Sequence, residues 1–382
     1  MKTELSRTLG AARKRGELPA VTAYNRIDGP GSSLDLREFQ QTFWSLPTIP
    51  KKPEADPAAE WTRQLPRTVG ITINVGTRVE ARPFKPGFIA ARSYDFKWRL
   101  SGEPGLIPAT KQNWLLKIMD LFGLSGVEFA LKNTHPRLAS SGLGGSATAT
   151  TAVCLLANEL AGRPFDGVQL VAMASRMEQD LGVSLTGTQE QSNVVFGGVT
   201  DYVWFPWGVP GRAETSYGCS LRYELIPEKD YAQLEQQMAI FHTGHVRAST
   251  DVNAVWTKKL ATEPGHALHQ RKLELAYRFR EGLRRRDWDA AINATEEYRQ
   301  VRTRLCAAYM TGASEIHRTA RRHGGCVFPL GAGGGGAVLI LAPDDKALQI
   351  TRKCLPKSYR EIPVKVRPRG HRFENGKTGR WI

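Results

Sequence analysis

The chain has 382 residues, of which 41% are hydrophobic and 24% charged, an ordinary globular composition long enough for about two domains with a real core. No run of about 20 apolar residues could span a membrane, and the opening "MKTELSRTLGAARKRGELPA" lacks the apolar stretch of a signal peptide, so the sequence reads as soluble, cytoplasmic and without a membrane partner. The net charge of +16 is spread among acids, as in "RFREGLRRRDWDAA" (278–291), which reads as a solvated helix face; with no zinc-finger, basic-zipper or RNP-type signature, an anionic small substrate explains it as well and nucleic acid is set aside.

Taken in chain order, the proline-rich stretch 47–61 is a loop or insertion. Apolar alternation predicts a strand over 69–84, with 87–100 as its hairpin partner across a Pro-Gly turn. "NWLLKIMDLFGL" (113–124) has helical spacing, and "VEFALKNTHP" (127–136) reads as a strand. The loop "SSGLGGSATATT" (140–151) then opens into a buried helix that runs to Gly162. A second helix spans 166–182, capped by Asp166 and ended at Gly182. The second half, from about residue 220, has a strand at "AIFHTG", helices from about 252 to 323, a glycine loop at 331–336 and the strand "AVLILAP". Cys154, Cys219, Cys306, Cys326 and Cys354 are scattered without CxxC or His spacing, and read as reduced thiols rather than a zinc site.

A glycine turn that leads into a helix aims backbone N–H groups and the positive end of the helix dipole at one spot, which suits a phosphate. By itself such a loop is as easily a flexible connection before a core helix. The GxxxxGK[ST] loop is absent, and "GAGGGG" precedes a strand rather than a helix, so neither a P-loop enzyme nor a dinucleotide fold fits.

Three segments in order resemble the GHMP kinases: "NRIDGPGSSLDL" (25–36) the substrate-side motif, "SSGLGGSATAT" the phosphate loop, and "LGAGGGGAVLIL" (330–341) the C-terminal glycine motif. "TGTQEQSNVVFGGVTDY" (186–202) and "FHTGHVRAST" (241–250) are similar to segments of anomeric sugar kinases such as D-glycero-D-manno-heptose 7-phosphate kinase. The resemblance implies an α+β fold of two lobes, the N-terminal one resembling ribosomal S5 (about 15–225) and the C-terminal one ferredoxin-like (226–382). It implies phosphorylation of a sugar or sugar-phosphate hydroxyl at C1, with ATP and magnesium; a homodimer is one assembly open to it.

By the same resemblance, Ser140, Ser141, Gly142, Leu143, Gly144, Gly145, Ser146 and Ala147 would wrap the nucleotide phosphates. Ser146 would offer its hydroxyl to magnesium or phosphate, or simply cap the helix, and Glu178 would be the metal carboxylate. Read without the family, Glu178 is a surface acid. Glu190 stands where related kinases carry a catalytic Asp, and Thr188 where the heptose kinases carry a Lys; Arg26 would supply the missing cation. Asp28 and Asp35 match the substrate motif, although either is equally a turn residue, and Ser32 replaces its second glycine. Thr243, Gly244 and Arg247 would serve the sugar side, and Gly333, Gly334 and Gly335 would close over the substrate. The altered acid and glycine leave open a binding protein that has lost catalysis, and within enzymes the acceptor may instead be a hexose, a uronic acid or a non-sugar alcohol.

Overall fold

The computed structural model describes residues 4–43, 63, 65–138, 141–205, 219–245 and 249–375. The proline-rich stretch 47–61, Ser140 and Arg247 lie outside the described residues.

Helix α1 (Glu4–Lys14) precedes β1 (Ala20–Asp28), and the substrate-motif loop follows before α2 (Arg37–Phe43). Then come β2 (Arg67–Pro83), β3 (Ile89–Ser93), β4 (Trp98–Gly102), α3 (Trp114–Leu121), β5 (Val127–Asn133), α4 (Gly145–Leu160), α5 (Gly167–Asp180), α6 (Gln189–Phe196), β6 (Val199–Phe205) and β7 (Cys219–Ile226). The second half has α7 (Tyr231–Gln236), β8 (Met238–His242), α8 (Ser249–Leu260), α9 (Glu263–Arg285), α10 (Trp288–Leu305), α11 (Ser314–Arg322), β9 (Cys326–Pro329), β10 (Ala337–Leu341), α12 (Asp345–Cys354), β11 (Arg360–Ile362) and β12 (His371–Glu374).

These elements build two sheets, one of eight strands in the order β12-β1-β2-β5-β3-β4 with β6 beside β2 and β7 beside β6, the other of four in the order β11-β8-β10-β9. The α+β, two-lobed expectation holds. β2 is 17 residues long, so it takes two neighbours along one side: β6 beside Arg67–Ile71 and β5 beside Thr77–Pro83. The expected hairpin of 69–84 with 87–100 does not form. β5 lies between the two segments, and β3 pairs with it in parallel and with β4 antiparallel. A division of the chain at residue 225 also sets β12 apart from the sheet it belongs to, because β12 pairs with β1 through Ala20↔Glu374 to Ala23↔His371.

The second sheet is buried on both faces. Along β10, Leu339 and Leu341 join the core shared with α9, α10 and the first sheet, while Val338 and Ile340 pack with Trp256 of α8 and Ile316 of α11. α5 starts as expected: Asp166 accepts from the Gln169 N–H, and the Gln169 side chain accepts from the Asp166 N–H.

The charged run 278–291 is not simply a solvated face. α9 ends at Arg286, whose φ of 60° is left-handed, and Asp287 caps α10 by accepting from the Ala290 N–H. Inside the run Phe279 and Leu283 are core residues, and buried Arg280 reaches Asp201 of β6 at 3.1 Å.

Candidate active site

A cavity of about 550 Å³ opens between the two glycine loops, where the sheets meet. The first loop turns on left-handed Gly142 (φ 80°) and Gly144 (φ 78°), which only glycine adopts cheaply. Gly144 is the N-cap of α4 and has no side chain to accept from the first-turn N–H groups, so Gly145, Ser146 and Ala147 present that turn to the cavity they line. The second loop lies directly against the first. A Cβ on Gly331 would sit 2.6 Å from the Gly142 carbonyl oxygen, and the Ala337 N–H donates to the Ser141 carbonyl at 2.6 Å.

Glu190, from the first turn of α6, lies under the phosphate loop: a Cβ on Gly144 would stand 2.6 Å from its Cγ. Arg26 of β1 donates to Glu190 and lies 3.2 Å from Asp28. The sequence therefore brings together the acid and the cation expected to replace the missing lysine. Burial works to lower the Arg26 pKa, but Asp28, Glu190 and Asp35 around it outweigh this and raise it, so Arg26 is a permanent charge.

Asp35 lines the cavity beside this pair, and its Oδ2 accepts from the Gln189 N–H at 2.9 Å. Burial first, and the neighbouring Glu190 second, push its carboxyl up to about 7. Between the unfolded value and 7 the folded protein thus holds a proton that the unfolded chain has released. That stabilisation is complete at acid pH and is lost as pH rises through 7. Asp35→Asn, which can still accept from the Gln189 N–H, is expected to flatten the pH dependence of Tm across this window and to raise Tm above the parent's at pH 8. A Tm offset that stays constant with pH would show that the carboxyl does not titrate there.

Glu178, read as a surface acid without the family, is fully buried at the end of α5. It accepts from Ser146 Oγ at 2.6 Å, Thr150 Oγ1 at 2.8 Å and Ser184 Oγ at 3.1 Å. Burial raises its pKa, against those three hydroxyls, which lower it. A carboxylate paired with the Ser146 hydroxyl is a hard-oxygen set that fits magnesium. Magnesium takes hard oxygen ligands and keeps waters and phosphate oxygens among them, so one carboxylate and one hydroxyl suffice from the protein.

Other expected residues fall elsewhere. Asp28 does not line the cavity; it is fully buried and accepts from the Gly331 N–H at 3.1 Å, tying β1 to the second loop. Thr243 and Gly244 are also absent from the lining. Thr243 is held through its N–H and its Oγ1 to the Gly336 carbonyl, at 2.8 and 2.9 Å. Gly333 and Gly335 line the cavity, whereas Gly334 turns its N–H to the Tyr309 carbonyl at 2.8 Å. The sequence reading missed the aromatic wall of Phe96, Trp98 and Trp114. Its only signal was Trp114 at the start of a predicted helix, where an aromatic residue reads as core.

Comparison with known proteins places this geometry. Residues 111–198 match the family model for the GHMP kinases N terminal domain. No curated protein matches the chain. Among solved structures, a D-glycero-D-manno-heptose 1-phosphate kinase from Bacteriodes thetaiotaomicron superposes with a TM-score of 0.65 at 15% identity, covering 93% of this chain and 98% of that one. Phosphomevalonate kinase from Streptococcus pneumoniae, in complex with phosphomevalonate and AMPPNP, gives 0.67 at 12% identity, covering 91% and 99%. Galactokinase from Lactococcus lactis, complexed with galactose, gives 0.63 at 14% identity, covering 94% and 97%. Residues 111–198 thus match the GHMP kinases N terminal domain in sequence, and over its length the chain has the fold of the GHMP kinase structures it is similar to.

Proposed function

We propose that the protein transfers the γ-phosphoryl group of ATP to a hydroxyl of a sugar or sugar phosphate, the anomeric C1 hydroxyl in the first instance. The observation that carries the proposal is the Arg26–Glu190 pair set directly under the phosphate loop, with Asp35 beside it on the cavity wall. The resemblance of 186–202 and 241–250 to anomeric sugar kinases supports a sugar over other alcohols, and the similar structures include heptose and galactose kinases beside phosphomevalonate kinase.

In this reading the first turn of α4 and the glycine backbone hold the phosphates, and the loop contacts keep water out. Glu190 accepts the proton of the attacking hydroxyl as its oxygen bonds to the γ-phosphorus and the bond to the β–γ bridging oxygen breaks, the electron pair leaving with ADP. Arg26 holds Glu190 in place and offsets negative charge beneath the transferring group. Asp35 presents its remaining oxygen to the acceptor's hydroxyls. Ser146 and Glu178 would hold magnesium, which neutralises phosphate charge when bound.

Glu178→Gln keeps the size and removes the charge, so it is expected to raise the magnesium requirement and to lower turnover by about tenfold or more. Magnesium dependence and rate equal to the parent's would leave Glu178 a structural acceptor for three hydroxyls. The reaction itself is tested by ATP consumption over a panel of heptose phosphates, hexoses, uronic acids and non-sugar alcohols. Turnover of a sugar phosphorylated at C1 is the expected result; nucleotide binding without turnover of any acceptor would overturn it.

A further inference from the structure

We propose that Arg302 is a positioning residue that sets the distance between the substrate-side loop and the second glycine loop. The inference rests on the reading above of where acceptor and nucleotide lie.

Arg302, on α10, is fully buried, and among the described residues no carboxylate pairs with it. Its guanidinium carbon lies 3.4 Å from the Trp256 ring centroid and 4.6 Å from that of Tyr309. From that slot its fork spans both loops. Nη1 donates to the hydroxyl of Ser32, and Nη2 donates to the carbonyls of Gly331 and Ala332 at 3.2 Å each. One turn earlier on the same helix, Tyr298 donates its hydroxyl to the Ser32 carbonyl at 3.0 Å.

A buried cation with no ionic partner is costly unless its N–H groups are met and its face is covered. Here both Nη nitrogens meet oxygens of the two loops and aromatic rings cover the face, while Nε–H meets no acceptor among the described residues and Asp28 attracts the cation without a direct ion pair. Both loops line the cavity, the first through Ser33 and Asp35 and the second through Gly331, Ala332 and Gly333. The second loop is also wedged against Tyr309, since a Cβ on Gly333 would meet that ring at 2.1 Å. Ser32 stands where the related motif has glycine, and its hydroxyl is what Arg302 grips, so this chain has added a cross-brace at that position. Arginine alone offers the planar fork with a stacking face; lysine keeps the charge and loses the geometry.

The test uses the whole protein and two variants, Ser32→Ala and Arg302→Lys, with amide hydrogen exchange measured over 29–35 and 331–336. Removing the Ser32 hydroxyl is expected to speed exchange in 331–336, the loop that carries no substitution, by about tenfold, and Arg302→Lys to speed both loops. With a sugar that the parent turns over, both variants should raise its KM about tenfold and change the KM for ATP less than about twofold, a split that general destabilisation would not produce. Faster exchange confined to 29–35 in Ser32→Ala, with 331–336 unchanged, would overturn the proposal. The exchange measurement needs no turnover, so failure of the kinase reading and failure of the brace are told apart. Should Arg302→Lys fail to fold, Ser32→Ala alone decides.

Discussion

Glu190→Gln is expected to lower turnover by about 10²-fold or more while leaving nucleotide affinity nearly unchanged, because in the proposed reaction Glu190 is a positioned general base, typically worth that much, and backbone groups hold the phosphates. The amide still fills the space under Gly144 and still offers an oxygen to Arg26, so a loss of rate reports on proton acceptance rather than collapse. Glu190→Asp is the sharper comparison. It restores the related kinases' residue but withdraws the carboxylate by one methylene from Arg26 across a contact that Glu190 makes directly, so a moderate loss is expected. Single-turnover rates beside AMPPNP titrations would measure both. If Glu190→Gln turned over as fast as the parent, proton acceptance would pass to Asp35, the other carboxylate beside Arg26 that lines the cavity, or positioning alone would suffice.

The second large effect is expected at the phosphate loop. Gly144 is a poor site for a clean test, because its φ of 78° strains any side chain and a Cβ there would strike Glu190. Gly145 is better. It opens α4 with no left-handed φ, and its nearest foreign neighbour to a new Cβ is the Leu138 carbonyl at 3.9 Å, so the Cβ of Gly145→Val meets no clash. The same side chain would crowd the first turn of α4 where phosphate oxygens approach. Affinity for AMPPNP is expected to fall by about 10²-fold with Tm within a few degrees of the parent's. Unchanged affinity in this variant would place the phosphates elsewhere.

Legibility in the sequence followed the range of the interactions. The capping box at Asp166 and Gln169 involves residues three apart, and the helix it starts was readable. Strand 69–84 was readable from its alternation, but its partner was not, since alternation marks a pleated segment without saying which strand lies beside it; β5, over forty residues on, takes the place assigned to 87–100. The site divides in the same way. Glycines in the first loop announce a tight backbone, whereas nothing near Glu178 says that the hydroxyls of Ser146, Thr150 and Ser184 will bury it. Arg280 read as surface charge on a helix, and nothing in the sequence singled out Arg302. Asp201 draws in the first, and two loops and Trp256 draw in the second, none of them close in sequence. Asp28 matched its motif, yet it serves the fold by holding the Gly331 N–H.

The pairing of β12 with β1 bears on how the chain reaches this state. Thr22 and Glu374, whose side chains meet across that ladder, are 352 positions apart. During synthesis β1 emerges early, yet one side of it stays unpaired until almost the whole chain has left the ribosome. A contact this distant in sequence is slow to close, and an unfinished edge on a strand buried along its whole length invites pairing with another chain. The second lobe must therefore be spooled out before the first can be sealed. β12 acts as a latch on β1, so the first half of this chain is not a self-sufficient folding unit.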